Sequence, residues 1–359
     1  MRNNNMDVIR GIAVLGLMYM NVYTFGLFEY GYVPAQFPPF SDHLLQIANL
    51  IFIDGRFRTL FCLLFGAALY IQWQHYQDIV VLKKRLKVLA YIGLLHGFVL
   101  WAGDILFIYA CSGWLVCKYL NHDDAFILKR GGQFLVIGSC VSFLLLLVEP
   151  NHIVTRADNE FIQTYQDTYS SWLAIMSTNA LVFFIMLIVV PLITLWMSAG
   201  LMLIGIYAYK NAVFKSGLPK QYVKYVCIAA LVFTGFRIVL EYLHSPLSYA
   251  LKEPINWLAA LFVALLVIHL VVKEYSQGCL FYSGFQRLGR LSLSVYITQT
   301  LILSTLFKVL YPDWTLTFNR IDYFLLVTFI AILQFVACQF YSHFFKRGPL
   351  ELVWRKLSS

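Results

Sequence analysis

Charge is what this chain has least of: Asp, Glu, Lys and Arg make up 13% of its 359 residues, against roughly 25% in soluble globular domains. With 60% hydrophobic residues and a mean hydropathy of +0.71, so few charges cannot cover a soluble surface. The surplus apolar area must face lipid. Soluble-enzyme signatures are also missing: there is no Gly-x-Ser-x-Gly, P-loop, His-Glu-x-x-His or Gly-x-Gly-x-x-Gly. None of the seven cysteines (Cys62, Cys111, Cys117, Cys140, Cys227, Cys279, Cys338) forms a Cys-x-x-Cys pair or lies in a segment placed outside below. A disulfide framework or a zinc site is therefore not expected. No internal repeat or low-complexity tract interrupts the chain.

What is present is a succession of apolar runs long enough to cross a hydrocarbon core of ~30 Å. They predict an all-α polytopic bundle of ten spans, at about 8–28, 57–73, 86–102, 105–119, 131–148, 180–209, 221–243, 255–272, 289–310 and 322–344. No stretch is left for a separate soluble domain, so residues 1–359 read as a single transmembrane domain. The first run, from Val8 to about Phe28, is too long for a signal-peptide core and lacks a clear small-residue cleavage site, and reads as a retained span. The sixth contains Pro191 and is over-long for one crossing, which predicts a tilted, kinked or partly interfacial segment, as one helix or two.

The net charge of +9 does not indicate nucleic-acid binding, because the basic residues sit in short loops between apolar runs. With the N-terminus inside, 20 Lys and Arg fall on the cytoplasmic side and six (Arg56, Arg58, Arg156, Lys252, Lys308, Arg320) outside. That asymmetry predicts two cytoplasmic termini and an even number of spans. Two external stretches have structure of their own. Residues 29–56 hold an apolar run from His43 to Ile53 that predicts a re-entrant or interfacial helix. Residues 149–179 place Phe161, Tyr165 and Tyr169 four apart, as an aromatic belt at the membrane surface or a stacking platform for a sugar.

Ionisable and amide groups at lipid depth are costly, so each is a site candidate. His96 stands ten residues beyond Leu86, about 15 Å along a helix and near the midplane. Gly93 and Gly97 beside it allow a close neighbour, which could equally hold a packed neutral imidazole. Asp104 follows eight residues later, on nearly the same side if the helix continues, and is also a plausible N-cap for the next span. Asn21 and Gln299 lie at comparable depth, as substrate-binding amides or as interhelical glue. Asp54, Arg56 and Arg58 occupy an outer entrance where arginines oppose the general charge bias, and read as a substrate-binding cluster. Asp7–Arg10 and Arg237–Glu241 have the spacing of local ion pairs.

Several blocks carry a family resemblance. Arg10-Gly11-Ile12-Ala13-Val14-Leu15-Gly16 with Asn21 resembles the opening of the YeiB-like proteins, a bacterial inner-membrane family filed as domain of unknown function 418. The likeness continues in Gly55-Arg56-Phe57-Arg58-Thr59-Leu60-Phe61, Ile92-Gly93-Leu94-Leu95-His96 and Gly103-Asp104-Ile105-Leu106-Phe107-Ile108-Tyr109-Ala110. It returns in Gly289-Arg290-Leu291-Ser292-Leu293-Ser294-Val295-Tyr296 with Gln299, and in Gly348-Pro349-Leu350-Glu351 with Trp354-Arg355. That family is in turn distantly similar to transmembrane acyltransferases, including O-acetyltransferases of bacterial surface glycans.

The resemblance implies an inner-membrane protein that moves an acyl group from cytoplasmic acyl-CoA to an extracytoplasmic glycan, lipid or small molecule. Those O-acetyltransferases open with an arginine, ten residues and a histidine; here Arg10 is followed by Asn21, and an amide is no general base. The chemistry then falls to His96, oriented by Asp104. Asn21 and Gln299 would serve as oxyanion donors, and Arg10 with Lys83, Lys84 and Arg85 would attract CoA phosphates. No metal is expected. The alternatives are a transporter or lipid-handling protein with a polar midplane site, and an inactive membrane scaffold.

Overall fold

The computed structural model describes residues 4–148, 154–274 and 280–358, and every regular element among them is a helix. In chain order these are α1 (Asn4–Asn21), α2 (Phe40–Phe52), α3 (Arg56–Tyr76), α4 (Ile79–Val99), α5 (Leu106–Val116), α6 (Asp124–Val148), α7 (Asn159–Thr168) and α8 (Trp172–Lys210). There follow α9 (Val213–Ser216), α10 (Lys220–Glu241), α11 (Pro246–Glu274), α12 (Leu280–Arg290), α13 (Ser292–Thr305), α14 (Trp314–Thr317), α15 (Arg320–Phe344) and α16 (Pro349–Ser358).

Seven described segments are long and apolar enough to cross a membrane: Asn4–Thr24, Asp124–Val148, Trp172–Lys210, Lys220–Glu241, Pro246–Lys273, Ser292–Leu310 and Arg320–Phe344. They coincide with seven of the ten expected spans. The other three, α3, α4 and α5, are the least apolar or the shortest. α3 runs out through Gln72-Trp73-Gln74-His75, α4 carries Lys83, Lys84, Arg85 and Lys87 near its start, and α5 with its 3-10 extension covers only Leu106–Tyr119. Outward faces present exposed apolar side chains such as Val136, Leu144, Ile188, Leu231, Phe329 and Phe340, the surface a bilayer covers.

Packing is closest where glycines let backbones meet. α3 and α8 cross with Gly66 against the Met202 carbonyl and Gly205 against the Leu63 carbonyl. α1 and α12 cross with Gly11 against the Phe285 carbonyl and Gly289 against the Asp7 carbonyl. A residue with a Cβ at any of these four positions would drive the pair apart. The α8 segment is one helix of 39 residues that runs through Pro191, about 58 Å at 1.5 Å per residue. Its ends therefore project beyond a ~30 Å core.

Two expectations are adjusted. The segment near 289–310 starts as the separate amphipathic helix α12, breaks at Leu291 and resumes as α13 at Ser292. The Glu351 carboxylate sits at that break, accepting from the Leu293 and Ser294 amides at 2.9 and 3.2 Å and from the Ser294 hydroxyl at 2.5 Å. The apolar run after His43 is helical, as part of α2. Phe161, by contrast, points inward and is no part of a surface belt or platform. Phe161 is fully buried with Leu27 and Val33, and Tyr165 donates to Asp313 at 2.6 Å. Arg156 ties this cap together by donating to the carbonyls of Val33, Leu316 and Phe318. Within the cap, Tyr32 donates to Asp42, and burial, reinforced by that carboxylate, pushes the phenol well above its ordinary pKa.

Candidate active site

α4 ends at Val99, so His96 stands in its last turn and not at mid-helix. The expected continuation to Asp104 does not occur either. Leu100 and Trp101 cap the helix by donating to the His96 carbonyl at 2.9 and 3.2 Å, and the chain then reverses through Gly103 into α5. A continued helix would separate His96 and Asp104 by about 12 Å. The reversal instead brings His96 Nδ1 to 2.8 Å from Asp104 Oδ1, with side-chain exposures of 2% and 3%. The second carboxylate oxygen, Oδ2, accepts from the Phe107 amide at 2.9 Å. Asp104 therefore caps α5 and fixes the imidazole at once, and each task holds it for the other. Gly93 makes room for this corner: a Cβ there would meet the Phe107 amide and lie 2.7 Å from Asp104 Oδ2.

A carboxylate facing a neutral imidazole accepts from Nδ1–H in this bond, which leaves the lone pair on Nε2. Nε2 is buried and has no hydrogen-bond partner among the described residues. An orphaned polar atom at such depth is costly unless a substrate completes it. The Tyr296 ring packs beside the imidazole, with centroids 5.2 Å apart.

Two cavities lie beside this pair: His96 lines neither, but Asp104 lines one and Tyr296, packed on the imidazole, lines the other. One, of about 300 Å³, is lined by Asn21, Asp54, Arg58, Asp104, Phe183 and Glu253 among others. The other, of about 310 Å³, is lined by Arg10, Arg85, Arg290, Tyr296, Glu351 and Trp354 among others. Ile105 and Tyr109 line both and form the wall between them. The first cavity holds Asp54, Asp104 and Glu253 against one arginine, whereas the second holds three arginines against Glu351, whose oxygens are committed to the start of α13. One pocket is acidic and the other basic. In the basic pocket Arg85 lies over the Trp354 ring at 4.8 Å, and Arg10 contacts Asp7 at 3.0 Å, the local pair its spacing predicts.

Most sequence candidates gather here. Asn21, Asp54 and Arg58 line the acidic cavity, and Arg10 and Arg85 the basic one. Arg58 stacks on Trp257 at 4.0 Å and lies 3.8 Å from Glu253. Four residues are placed differently. Lys83 and Lys84 do not line the basic cavity, because only one face of the first turns of α4 turns inward. Arg56 is fully buried away from both cavities; it donates to the carbonyls of Ile51 and Asp54, to Asn256 and to Thr234. Gln299 spends both N–H donors, on the Val14 carbonyl at 3.2 Å and on Gln334 at 3.0 Å. It is interhelical glue and has no donor left for an oxyanion.

Sequence reasoning missed Tyr109, Tyr296, Glu253 and Arg290. Tyr109 and Tyr296 stood inside the blocks already singled out, but a tyrosine in an apolar helix looks like packing. Glu253, an acid at the start of an apolar span beside Pro254, was the signal that could have been read.

Fold and site together define a multi-helix protein with apolar outer faces and a buried His–Asp pair beside two cavities of opposite charge. Residues 208–359 match the family model described as a protein of unknown function, DUF418. Over 99% of this chain and 96% of the relative, it is 26% identical to the uncharacterized protein YeiB of Escherichia coli. It is also 22% identical to an uncharacterized 39.9 kDa protein of the amylase 3′ region of Bacillus acidopullulyticus, over 99% of this chain and 94% of that one. A third relative, YxaH of Bacillus subtilis, is 20% identical over 98% and 92%. The YeiB-like resemblance read from the sequence is borne out.

Proposed function

We propose that this protein is a multi-pass acyltransferase of the bacterial inner membrane, moving an acyl group from cytoplasmic acyl-CoA to an acceptor on the other side. The observation that carries the reading is His96, its Nε2 unpartnered and its Nδ1 held by Asp104, with Asp104 lining the acidic cavity and the neighbouring Tyr296 lining the basic one. In this reading α3, α4 and α5 complete ten crossings and both termini are cytoplasmic, which puts Arg10, Arg85 and Arg290 on the inner side. The 20-to-6 distribution of Lys and Arg supports that orientation.

The three arginines would hold the polyanionic nucleotide end of CoA in the basic cavity, with the thioester reaching Tyr296 and the Ile105–Tyr109 wall. The acceptor hydroxyl or amine would enter past Arg58. His96 Nε2 removes its proton as the acceptor's O or N attacks the thioester carbon. The C–S bond then breaks, and the thiolate leaves with the proton from the imidazolium. Asp104 keeps the ring in the required tautomer and balances its transient charge. No cofactor beyond the donor is required for this step. A carrier would not need a basic nitrogen at this place.

The test is acyl-CoA consumption by reconstituted protein supplied with a candidate acceptor extract. His96→Ala should lower turnover by about 10²-fold or more without weakening CoA binding, and His96→Gln, which keeps size and hydrogen bonding but not basicity, nearly as much. Wild-type turnover in His96→Gln would reduce the histidine to packing.

A further inference from the structure

Resting on the acyl-transfer reading, we infer that Tyr296 is a catalytic residue whose hydroxyl receives the thioester carbonyl oxygen as it becomes an oxyanion. Acyl transfer needs two things at one carbon: a base for the incoming nucleophile and a donor for the carbonyl oxygen. His96 supplies the first. The amides that looked suited to the second do not meet the geometry. Gln299 has no free N–H, and Asn21 lines the acidic cavity only, across the wall from where a CoA thioester would arrive.

Tyr296 meets each requirement. It lines the basic cavity, is 5% exposed, and packs its ring 5.2 Å from the imidazole. Its hydroxyl is buried beside the Ile105 backbone, and its O–H finds no acceptor among the described residues. Two adjacent side chains thus leave a ring nitrogen and a hydroxyl donor unspent, the two kinds of group the reaction calls for. Tyr109, the other tyrosine lining the basic cavity, donates its hydroxyl to the Arg58 carbonyl at 3.2 Å and is already engaged. In the step, the acceptor adds to the thioester carbon and the carbonyl π electrons move onto oxygen. The Tyr296 O–H donates to that oxyanion without giving up its proton. Collapse restores the C=O bond and expels the thiolate, which takes the proton held by His96.

The experiment compares wild type, Tyr296→Phe and His96→Gln as full-length reconstituted proteins, measuring kcat and KM for acetyl-CoA and the thermal unfolding midpoint. Loss of one oxyanion donor costs about 10²–10³-fold in kcat, so Tyr296→Phe should show that fall with the KM for acetyl-CoA little changed. Its unfolding midpoint should be equal or higher, since an unmatched buried hydroxyl is a penalty that Phe removes. A merely structural tyrosine would give the reverse pattern: near-normal kcat, or a loss that follows a lowered midpoint. Either result overturns the inference while leaving His96→Gln inactive and the acyl-transfer reading standing. Wild-type protein that consumes no acetyl-CoA with any acceptor extract overturns both.

Discussion

The two arginines of the Asp54–Arg58 turn show how differently a membrane protein uses one side-chain type. Arg56 opens α3 after Gly55, whose φ of +76° suits a residue without a Cβ, and its guanidinium is consumed by the carbonyls of the same turn and by Asn256. Arg58, two residues on, points along the acidic cavity over Trp257, with its side chain 21% exposed. Substitution should separate them. Arg56→Met leaves several buried acceptors without a donor and should cost about 3 kcal/mol or more of stability, seen as loss of folded yield in detergent. Arg58→Ala should leave folded yield nearly intact and lower turnover at least tenfold. Equal yields with equal activities would show that neither arginine has the assigned part. Charge and position in the sequence marked both residues as unusual. They could not distinguish them, because what differs is which direction each faces from the first turn of α3.

At the scale of elements, the site depends on the α4–α5 reversal. The sequence made His96 and Asp104 legible as a related pair, through their polarity and the glycines between apolar runs. It also suggested that Asp104 could cap the following helix. The route by which they meet was not legible, since hydropathy cannot tell a helix that continues from one that turns back after Leu100. The same limit hid the break at Leu291, which is held by Glu351 from 57 or 58 residues away. Gly93 tests the reversal. In Gly93→Ala the new Cβ collides with the Phe107 amide and Asp104 Oδ2, so α5 must shift and the His96–Asp104 bond lengthen. Turnover should fall at least tenfold, with about 1–3 kcal/mol of overpacking cost. Gly132→Ala, where no atom lies within 4 Å of the added carbon, is the control and should be silent in both assays. Full activity in Gly93→Ala would detach catalysis from this corner.

For the whole molecule, composition alone made the membrane class legible, because no soluble arrangement covers so much apolar surface. The seven most apolar segments were likewise readable, each being a single continuous run. α3, α4 and α5, which carry the dyad and much of the wall around it, are the three whose length or polarity departs from a lipid-facing helix. That is the physical reason the site was harder to place than the fold: helices that line cavities need fewer apolar residues and more exceptions. The central claim is that donor and acceptor meet at His96 from opposite faces. It is tested most directly in proteoliposomes holding a candidate acceptor extract inside, with acetyl-CoA labelled in the acetyl group added only outside. For molecules oriented with the Lys84 side outward, label should accumulate on acceptor within the lumen while free CoA appears outside, and His96→Gln vesicles should show neither. Label that reaches acceptor only when acetyl-CoA and acceptor share one face, or at equal rates in His96→Gln, would contradict the account.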